Sequence, residues 1–478
     1  MLGQTGAERS TSARSAARGA WWSSRWPWRV AALALILLAL GVRVWEVERT
    51  SPYTPINDGH SYLTLASQIA HHGDYLNSHA PRSGAGGSIG PTAYFPPAYP
   101  YFLAGVDLLD GHTNGGGQAV HDARLATAVL GAVTVAALGL VALEAFGPVT
   151  ALVAMLIAAV YPPLVALSGT PYSENLLIPL ELAAVWAGLR ARRAANPWPL
   201  LAAAGVFAGL ATLAHQNGAV ILLPLIFCAV QCARRWVGSR GSTAGRRRAL
   251  AVLAGPLVLL ACAALTIAPW TIRNAVVLHR FIPVSDEMGI TLAGTYNSSS
   301  ANDPQTPYRW KYYGDVPAYA SIAHQSLHLS EPALSSRLVS AAFRYVGDHP
   351  VAPAQAAYHN LRRLLELEGS TTWRTSGASI GLSGGTMKVG VYAFWVVALL
   401  AAGGLFTRRA RRAPEWLWAI PILLALSVIL INAETPRFRA PIDPYLIMLA
   451  ACALVSLGGA VARRWGNRSA PHLDPARP

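Results

Sequence analysis

An apolar run and the polar motif that follows it decide the fold: Val30-Ala-Ala-Leu-Ala-Leu-Ile-Leu-Leu-Ala-Leu-Gly-Val42 and Asn57-Asp-Gly-His-Ser-Tyr62. With its flanks, the apolar run covers residues 30–47, close to the roughly 20 residues that a helix needs to cross a bilayer. Arg29 and Arg43 bound its strictly apolar part, and their long side chains can reach the lipid headgroups. The sequence therefore predicts a transmembrane helix whose outer end leads into a polar motif.

Further apolar runs of similar length follow the first. The chain has 478 residues, of which 53% are hydrophobic and 13% charged, and this composition excludes an ordinary soluble domain. We therefore predict an all-α polytopic membrane protein, a bundle of about ten transmembrane helices whose extracytoplasmic loops carry short helices. The further runs cover about 120–143, 148–168, 174–190, 197–214, 217–233, 249–270, 387–406, 415–433 and 441–462.

Arginine dominates the positive charge, and its placement predicts the orientation. The formal net charge is +15, which in a soluble protein would suggest nucleic acid as a partner. Here the arginines concentrate in short loops that ten helices place on one side, and the positive-inside rule makes that side cytoplasmic. We expect both termini in the cytoplasm, a location in the inner (plasma) membrane and no nucleic-acid partner. The arginines are Arg190, Arg192, Arg193, Arg234, Arg235, Arg240, Arg246, Arg247, Arg248, Arg408, Arg409, Arg411, Arg412, Arg463, Arg464 and Arg468.

Acidic residues on the predicted external side are candidates for proton transfer. Asp58 lies just outside the first span, in a motif with His60 and Tyr62. A carboxylate held at the membrane surface can take a proton from an acceptor hydroxyl or hold a metal. The alternative is a surface acid that caps a helix starting near Ser61. Glu174 lies where the fourth span begins, a position that the helix dipole alone would also favour.

Polar residues in external turns predict an anion site. The turn before the last span contains Arg437 and Arg439, although the positive-inside bias disfavours arginine there. Arg273-Asn274 lies where the seventh span reaches the surface, and His215-Gln-Asn217 lies between the fifth and sixth. Guanidinium groups bind phosphate through two hydrogen bonds. We therefore predict that the three arginines hold a lipid phosphate while Asp58 deprotonates the attacking hydroxyl. Membrane headgroups and nearby acids are the alternative partners of these arginines.

The same residues carry a family resemblance. The motifs are Asp58-Gly-His-Ser-Tyr62 with Phe95-Pro-Pro-Ala-Tyr-Pro100, Ser173-Glu174, Ala214-His-Gln-Asn-Gly218, Pro269-Trp-Thr-Ile-Arg-Asn274 and Arg437-Phe-Arg-Ala-Pro-Ile-Asp-Pro444. In this order, they resemble bacterial GT-C glycosyltransferases of family 39, the group of the protein O-mannosyltransferases and the aminoarabinose transferases of lipid A. The resemblance implies sugar transfer from a polyprenyl-phosphate donor on the extracytoplasmic face, usually with inversion. It also implies that Asp58 is the catalytic or acceptor-binding acid and that Arg273, Arg437 and Arg439 lie near the donor phosphate.

Two positions depart from that family's pattern. Asp58 is followed by Gly59 where many relatives have a second acid, and His215 stands where relatives often have arginine. The first departure weakens a two-carboxylate metal site, so no cofactor is expected, and a divalent cation at Asp58 and His60 is an open alternative. The expected partners are a polyprenyl-phosphate sugar donor, membrane lipids and a glycan, lipid or protein acceptor.

A transporter or flippase of a lipid-linked saccharide is the main alternative function. Such a protein also needs many spans and external arginines, but it favours matching halves with interrupted helices. The sequence shows no such symmetry. A sensor or assembly protein is a further alternative, which leaves Asp58 and the external arginines unexplained. Because no phosphate-binding glycine loop is present, nothing indicates ATP-driven transport.

The apolar pattern divides the chain into five parts. The second half of the long external region has helical spacing that is interrupted at Pro350 and Pro353. Residues 369–386, rich in Gly, Ser and Thr, are interpreted as a mobile lid or linker. The parts are a disordered basic cytoplasmic tail (1–28), an N-terminal transmembrane module (29–270) with a catalytic first external loop (48–119), an extracytoplasmic loop region (271–386), C-terminal transmembrane helices (387–462) and a cytoplasmic tail (463–478).

Overall fold

The computed structural model describes residues 26–77, 90–110, 117–239 and 246–468. The predicted tail at 1–28 lies almost wholly outside these ranges, and so does most of the tail at 463–478. Helices make up nearly all regular structure of the described residues. A two-residue pair, β1 (Leu76–Asn77) and β2 (Gly90–Pro91), runs antiparallel in the first external loop.

The prediction of an all-α polytopic membrane protein is confirmed. All ten apolar runs are helical, and short helices fill the predicted external loops. In chain order the helices are α1 (Trp26–Arg49), α2 (Asn57–His72), α3 (Ala98–Asp110), α4 (Gly117–Phe146), α5 (Pro148–Val160), α6 (Pro162–Ser168), α7 (Glu174–Ala191), α8 (Trp198–Ala214), α9 (Leu222–Ser239), α10 (Arg246–Leu278), α11 (Met288–Thr295), α12 (Ser298–Ala301), α13 (Ala320–Gln325), α14 (Glu331–Asp348), α15 (Ala352–Leu364), α16 (Ser370–Ala378), α17 (Gly384–Leu405), α18 (Arg408–Arg412), α19 (Glu415–Ile429) and α20 (Asp443–Arg468).

Fewer of the described helices meet the length and hydropathy needed to cross a membrane than the sequence predicts. Within the described ranges, six helices are long and apolar enough to cross a membrane, or seven if the bent pair α5–α6 counts as one span. Helices α8 and α19 are apolar but shorter. Helix α7 contains three charged residues, Glu174, Glu181 and Arg190. The predicted count of about ten is therefore not confirmed, although each predicted span corresponds to a helix.

Arg43 does not extend to the headgroups, contrary to the prediction. It is fully buried, and its Nη2 and Nη1 donate to the carbonyls of Ala158 (3.2 Å) and Ala159 (3.1 Å). Those carbonyls would normally accept from the backbone N–H groups four residues later, but Pro162 and Pro163 have none. The proline pair bends α5 against α6 by 57°, and Arg43 satisfies the two carbonyls that the prolines leave free.

Small residues bring the central helices into close contact. Helix α8 packs against α7 and α10, and α7 also packs against α4. A Cβ added at Gly205 or Gly209 of α8 would collide with the backbone carbonyls of Leu259 or Ala263 of α10. Glycines four residues apart lie on one helix face and let two backbones approach within a membrane. This packing fixes the ends of α7 and α8, which carry Glu174 and the turn with His215.

Candidate functional site

A cavity of about 840 Å³ lies at the end of the bundle where α2, α7 and α20 begin. Apolar side chains such as Leu65, Phe95 and Trp310 form part of its wall. A cavity lined by both polar and apolar side chains suits a ligand with a polar head and a hydrocarbon tail. The charged and imidazole groups of the lining are Asp58, His60, His215, Glu287, Arg309, Glu434 and Arg437.

Arg437 joins two acids beside this cavity. Its Nη1 donates to Asp58 Oδ2 at 2.5 Å, and its Nε donates to Glu174 Oε1 at 2.6 Å. The guanidinium lies 4.7 Å from the ring centroid of Tyr172. Burial lowers the pKa of Arg437, but the charges of Glu174 and Asp58 outweigh that effect and raise it above its ordinary value. Glu174 is 1% exposed and Asp58 27% exposed, so Asp58 is the acid that a ligand can reach.

The two neighbours of Asp58 explain its position. Asn57 has a φ of 50°, a left-handed conformation that asparagine tolerates better than most residues. Its Nδ2 donates to the carbonyl of Ser379 at 2.7 Å. A Cβ at Gly59 would lie 3.3 Å from the Tyr172 ring, so a second acid at this position would require that ring to shift by a few tenths of an ångström. Asp58 does not cap a helix near Ser61, because α2 already begins at Asn57.

Tyr62, His215 and Asn217 form hydrogen bonds and contacts around Glu174. The Tyr62 hydroxyl donates at 3.1 Å to Oγ of Ser173, the residue that precedes Glu174. His215 Nε2 lies 3.7 Å from Glu174 Oε1, and its Nδ1 accepts from the backbone N–H of Asn217 at 3.3 Å. Burial is the largest effect on His215 and lowers its pKa. The imidazole is therefore mainly neutral at pH 7 and contributes little positive charge to the site.

Arg273 and Asn274 lie outside the cavity lining. Arg273 donates to the carbonyls of Thr92 (2.6 Å) and Tyr75 (3.1 Å). Tyr75 directly precedes β1, and Thr92 directly follows β2. Its guanidinium also lies 4.8 Å from the centroid of Trp270. Asn274 is buried and donates to the carbonyl of Ile282. In this structure both residues attach the first external loop and the segment after α10 to the bundle.

Arg439 also lies away from the cavity, contrary to the expectation that it acts beside Arg437. Its Nη1 donates to Glu366 Oε1 at 2.6 Å and its Nε to Asp443 Oδ1 at 3.2 Å. The reason is the short 3₁₀ turn Arg437–Arg439. With three residues per turn, side chains two positions apart point to different faces, so only Arg437 reaches Asp58.

Arg309 and Glu434 line the cavity, and the sequence analysis did not select them for the site. Arg309 Nη2 donates to Glu434 Oε1 at 3.1 Å, and the Ser379 hydroxyl donates to Glu434 Oε2 at 3.3 Å. Arg309 Nε is buried and has no hydrogen-bond acceptor among the described residues. Arg309 lies in a polar loop without recognisable periodicity, so no local pattern indicates that it faces the cavity.

Glu287 is a third acid in the cavity and was also missed. Its Oε2 accepts from Gln216 Nε2 at 3.2 Å. Burial, reinforced by the negative charge of Asp58, raises the pKa of Glu287 from its ordinary 4.5 to about 8, although Arg437 opposes the shift. A carboxyl with this pKa is mainly protonated at pH 7 and can donate a hydrogen bond. In sequence it is one acid in a loop, and only the folded chain brings it near Asp58.

We expect the pH dependence of stability to reveal this protonated acid. Between pH 4.5 and about 8 the unfolded chain has released the proton that the folded chain retains, so the free energy of unfolding falls as pH rises. Glu287→Gln should remove this fall and become more stable relative to wild type between pH 5 and pH 8. Thermal unfolding in detergent measures the change. Asp348→Asn, which neutralises an exposed acid, is the control. Parallel pH profiles of wild type and Glu287→Gln would contradict the assignment.

The segment predicted as a mobile lid or linker is packed structure. It contains α16, and the carbonyl of Ser379 after this helix accepts from Asn57 and from the Tyr172 hydroxyl (3.3 Å). Gly377 lies directly against Met387 of α17. Small residues permit such close packing as readily as they permit flexibility, so composition alone does not distinguish a packed segment from a linker. The segment forms part of the cavity wall through Ser379.

A metal site is not evident from side-chain clustering. Within the part of the chain that the structure describes, no group of three or more His, Cys, Asp or Glu residues is arranged to hold a metal ion. Oδ2 of Asp58 accepts a hydrogen bond from Arg437. A divalent cation at Asp58 and His60 stays an untested alternative from the sequence.

Comparisons with known proteins agree with the fold. The family model of dolichyl-phosphate-mannose-protein mannosyltransferases matches residues 95–261, whereas a comparison with curated proteins gave no match. Among solved structures, the apo oligosaccharyltransferase of Archaeoglobus fulgidus is similar with a TM-score of 0.55 and 14% identity, over 95% of this chain and 53% of that chain. The chain has a GT-C fold. The resemblance inferred from the ordered motifs is thereby confirmed.

Two further solved structures are similar to this chain. The Archaeoglobus fulgidus oligosaccharyltransferase AglB, in complex with an inhibitory peptide and a dolichol-phosphate, has a TM-score of 0.52 and 13% identity, over 96% of this chain and 53% of that chain. ArnT from Cupriavidus metallidurans, bound to undecaprenyl phosphate, has a TM-score of 0.38 and 15% identity, over 94% of this chain and 82% of that chain. The chain spans about half the length of the oligosaccharyltransferase.

Proposed function

We propose that the protein is a membrane glycosyltransferase that moves a sugar from a polyprenyl-phosphate-linked donor to an acceptor hydroxyl on the extracytoplasmic face. The observation that carries the proposal is the contact of Arg437 with Asp58 and Glu174 beside a cavity of about 840 Å³. This arrangement offers a reachable carboxylate next to a fixed cation. Sugar transfer from a lipid phosphate needs one group to accept a proton and another to bind the phosphate.

Asp58 acts as the general base in this mechanism. The acceptor hydroxyl attacks the anomeric carbon of the sugar, and the bond between that carbon and the phosphate oxygen breaks. Asp58 takes the hydroxyl proton, and the lipid phosphate leaves with the bonding electron pair. One displacement of this kind inverts the anomeric configuration. Only Oδ2 of Asp58 is engaged by Arg437, so Oδ1 remains for the acceptor.

Arg437 and Arg309 bind the phosphate in this proposal. Nε and Nη1 of Arg437 donate to the two acids, while Nη2 has no hydrogen-bond acceptor among the described residues. A phosphate oxygen can accept from Nη2 without breaking either contact. Arg309 adds a second cation to the same wall, held by Glu434. Arg437 and Arg309 thus bind the donor phosphate, for which the sequence predicts Arg273, Arg437 and Arg439.

Glu287 completes the polar wall as a hydrogen-bond donor. As a neutral carboxylic acid it can donate to a sugar hydroxyl or a phosphate oxygen, whereas a charged carboxylate would repel the phosphate. The two cavity acids thus take different roles: Asp58 accepts the proton of the acceptor hydroxyl, and Glu287 donates a hydrogen bond.

The distribution of arginines supports the proposed location of the cavity. The protein is a multi-pass membrane protein, and we place both termini in the cytoplasm and the cavity outside the inner membrane, because the arginine-rich loops lie at the other end of the bundle. The long segment between α10 and α17 borders the cavity and is the region that we expect to select the acceptor, whether glycan, lipid or protein.

A strain that lacks the gene should accumulate a polyprenyl-phosphate sugar, because no enzyme then transfers the sugar from this donor to its acceptor. That donor, purified and mixed with membranes of the same strain, should release free polyprenyl phosphate when purified wild-type protein is added. A flippase of lipid-linked saccharides would move the donor but leave its sugar–phosphate bond intact. Donor that stays intact in this assay would therefore overturn the proposed transfer, and Asp58→Asn protein is the matched negative control.

A further inference from the structure

A second cavity, of about 520 Å³, lies at the opposite end of the bundle. Helix α7 connects the two, because Glu174 of the first site is its first residue and Arg192, which lines the second cavity, follows its last. At 1.5 Å per residue, the two cavities are roughly 27 Å apart along this helix. Besides Arg192, the charged residues of its lining are Glu144 (α4), Arg193, Arg235 (α9) and Arg412 (α18).

The charges of this second cavity do not balance. Its one acid, Glu144, already accepts from Arg190 (2.9 Å) and Arg193 (2.8 Å). Arg192, Arg235 and Arg412 form no ion pair with any residue that the structure describes. Four arginines against one carboxylate leave three uncompensated positive charges on the lining. An anion bound between them would relieve their mutual repulsion.

Orientation in the membrane does not explain this arrangement. The positive-inside rule depends on the number of arginines in each short loop and not on where their side chains meet. Here three separate elements, the end of α7, α9 and α18, bring arginines to one concave surface. Arg408 and Arg409, which precede Arg412 in the same helix, do not line this cavity. This convergence of arginines on one concave surface indicates a binding site for an anion.

The lining also indicates the kind of anion. Guanidinium groups bind phosphate oxygens through paired hydrogen bonds. Gln231 lines the same cavity, and its Oε1 is buried without a hydrogen-bond donor among the described residues. A hydroxyl next to a phosphate, as in a glycerol headgroup, would supply that donor. Basic cavities between helix ends on the cytoplasmic side are suited to anionic lipid headgroups.

We propose that this cavity binds the phosphate-bearing headgroup of an anionic lipid from the leaflet opposite the candidate active site. Arg192, Arg235 and Arg412 hold the phosphate, and Gln231 accepts a hydrogen bond from a headgroup hydroxyl. The same phosphate chemistry could be supplied by a soluble glycerol phosphate, and the experiment separates the two sources. The proposal does not depend on the transfer reaction, because none of these residues lines the first cavity.

Delipidated full-length protein is titrated with phosphatidylglycerol, phosphatidylcholine and glycerol 3-phosphate, and binding is followed by native mass spectrometry and thermal shift. Wild type should bind phosphatidylglycerol saturably and phosphatidylcholine weakly. The double variant Arg235→Gln/Arg412→Gln should bind phosphatidylglycerol about 25-fold more weakly, at about fivefold for each arginine–phosphate hydrogen bond that the cavity loses. The control Arg408→Gln/Arg409→Gln loses the same charge outside the cavity and should bind as wild type does.

The experiment distinguishes a lipid ligand, a soluble phosphate ligand and an effect of total charge alone. Glycerol 3-phosphate that binds wild type and is lost in the cavity variant supports the phosphate site and identifies a soluble source. Equal weakening in both double variants would mean that only the total charge matters, and this would overturn the proposal. So would the absence of saturable phosphatidylglycerol and glycerol 3-phosphate binding by wild type. Helical circular dichroism of each variant confirms that it is folded.

Discussion

Replacement of Asp58 by asparagine should abolish sugar transfer and leave a folded protein that still binds the donor. Asparagine has nearly the same shape, and its amide oxygen can still accept the hydrogen bond from Arg437 that Asp58 Oδ2 accepts at 2.5 Å. It cannot take a proton, however, and general bases contribute roughly 10² to 10⁴ in rate. The expected result is a loss of that size in the transfer rate with little change in donor affinity.

The comparison for this variant is Asp74→Asn, which removes an exposed acid from the same external loop. It should transfer sugar at the wild-type rate. Initial rates with saturating donor report the chemical step, and donor titration reports affinity. If folded Asp58→Asn protein transferred sugar as fast as wild type, Asp58 would not be the base.

Replacement of Arg437 by methionine should destabilise the protein and abolish transfer together. The change leaves Glu174 almost completely buried, at 1% exposure, without its guanidinium partner. Removal of one partner from a buried ion pair typically costs about 3–5 kcal/mol of unfolding free energy, because the other charge stays in a poorly solvated place. Transfer should fail as well, because the donor phosphate loses the cation that lies beside Asp58.

A second variant separates these two effects. In Glu174→Gln/Arg437→Met the buried acid is neutral, so most of the lost stability should return while transfer remains absent. Thermal unfolding and donor binding of both variants test this directly. A double variant that regains transfer would show that Arg437 serves only to neutralise Glu174. An Arg437→Met protein as stable as wild type would show that Glu174 does not depend on it for charge compensation.

The fold class follows from local sequence, whereas several side-chain positions do not. Apolar runs of bilayer length predict helices because every backbone group in a membrane must be paired within its own segment. The placement of Arg43 could not be inferred in the same way. Its acceptors are the carbonyls of Ala158 and Ala159, more than 100 positions further along the chain, and only the bend at Pro162 and Pro163 leaves them free.

The sequence predicts some residues of the candidate site and misses others, because motifs show which residues are present and not which way their side chains point. Ordered motifs selected Asp58, Glu174 and Arg437, and the structure brings these three into direct contact. The same motif also selected Arg439, because sequence spacing does not show that a 3₁₀ turn directs neighbouring arginines to different faces. Glu287 carries no local signal, since its raised pKa arises from burial and from a nearby acid that is distant in sequence.

The contact between Asp58 and Arg437 can form only late in the synthesis of the chain. The two residues are 379 positions apart, and a ribosome that adds about 5–20 residues per second needs roughly 20–75 s to reach the second after the first. Until then Asp58 and Glu174 have emerged without the cation that joins them. The proposed catalytic acid therefore gains its partner only as the final helix follows into the membrane, and a nascent chain cannot assemble this centre before that moment.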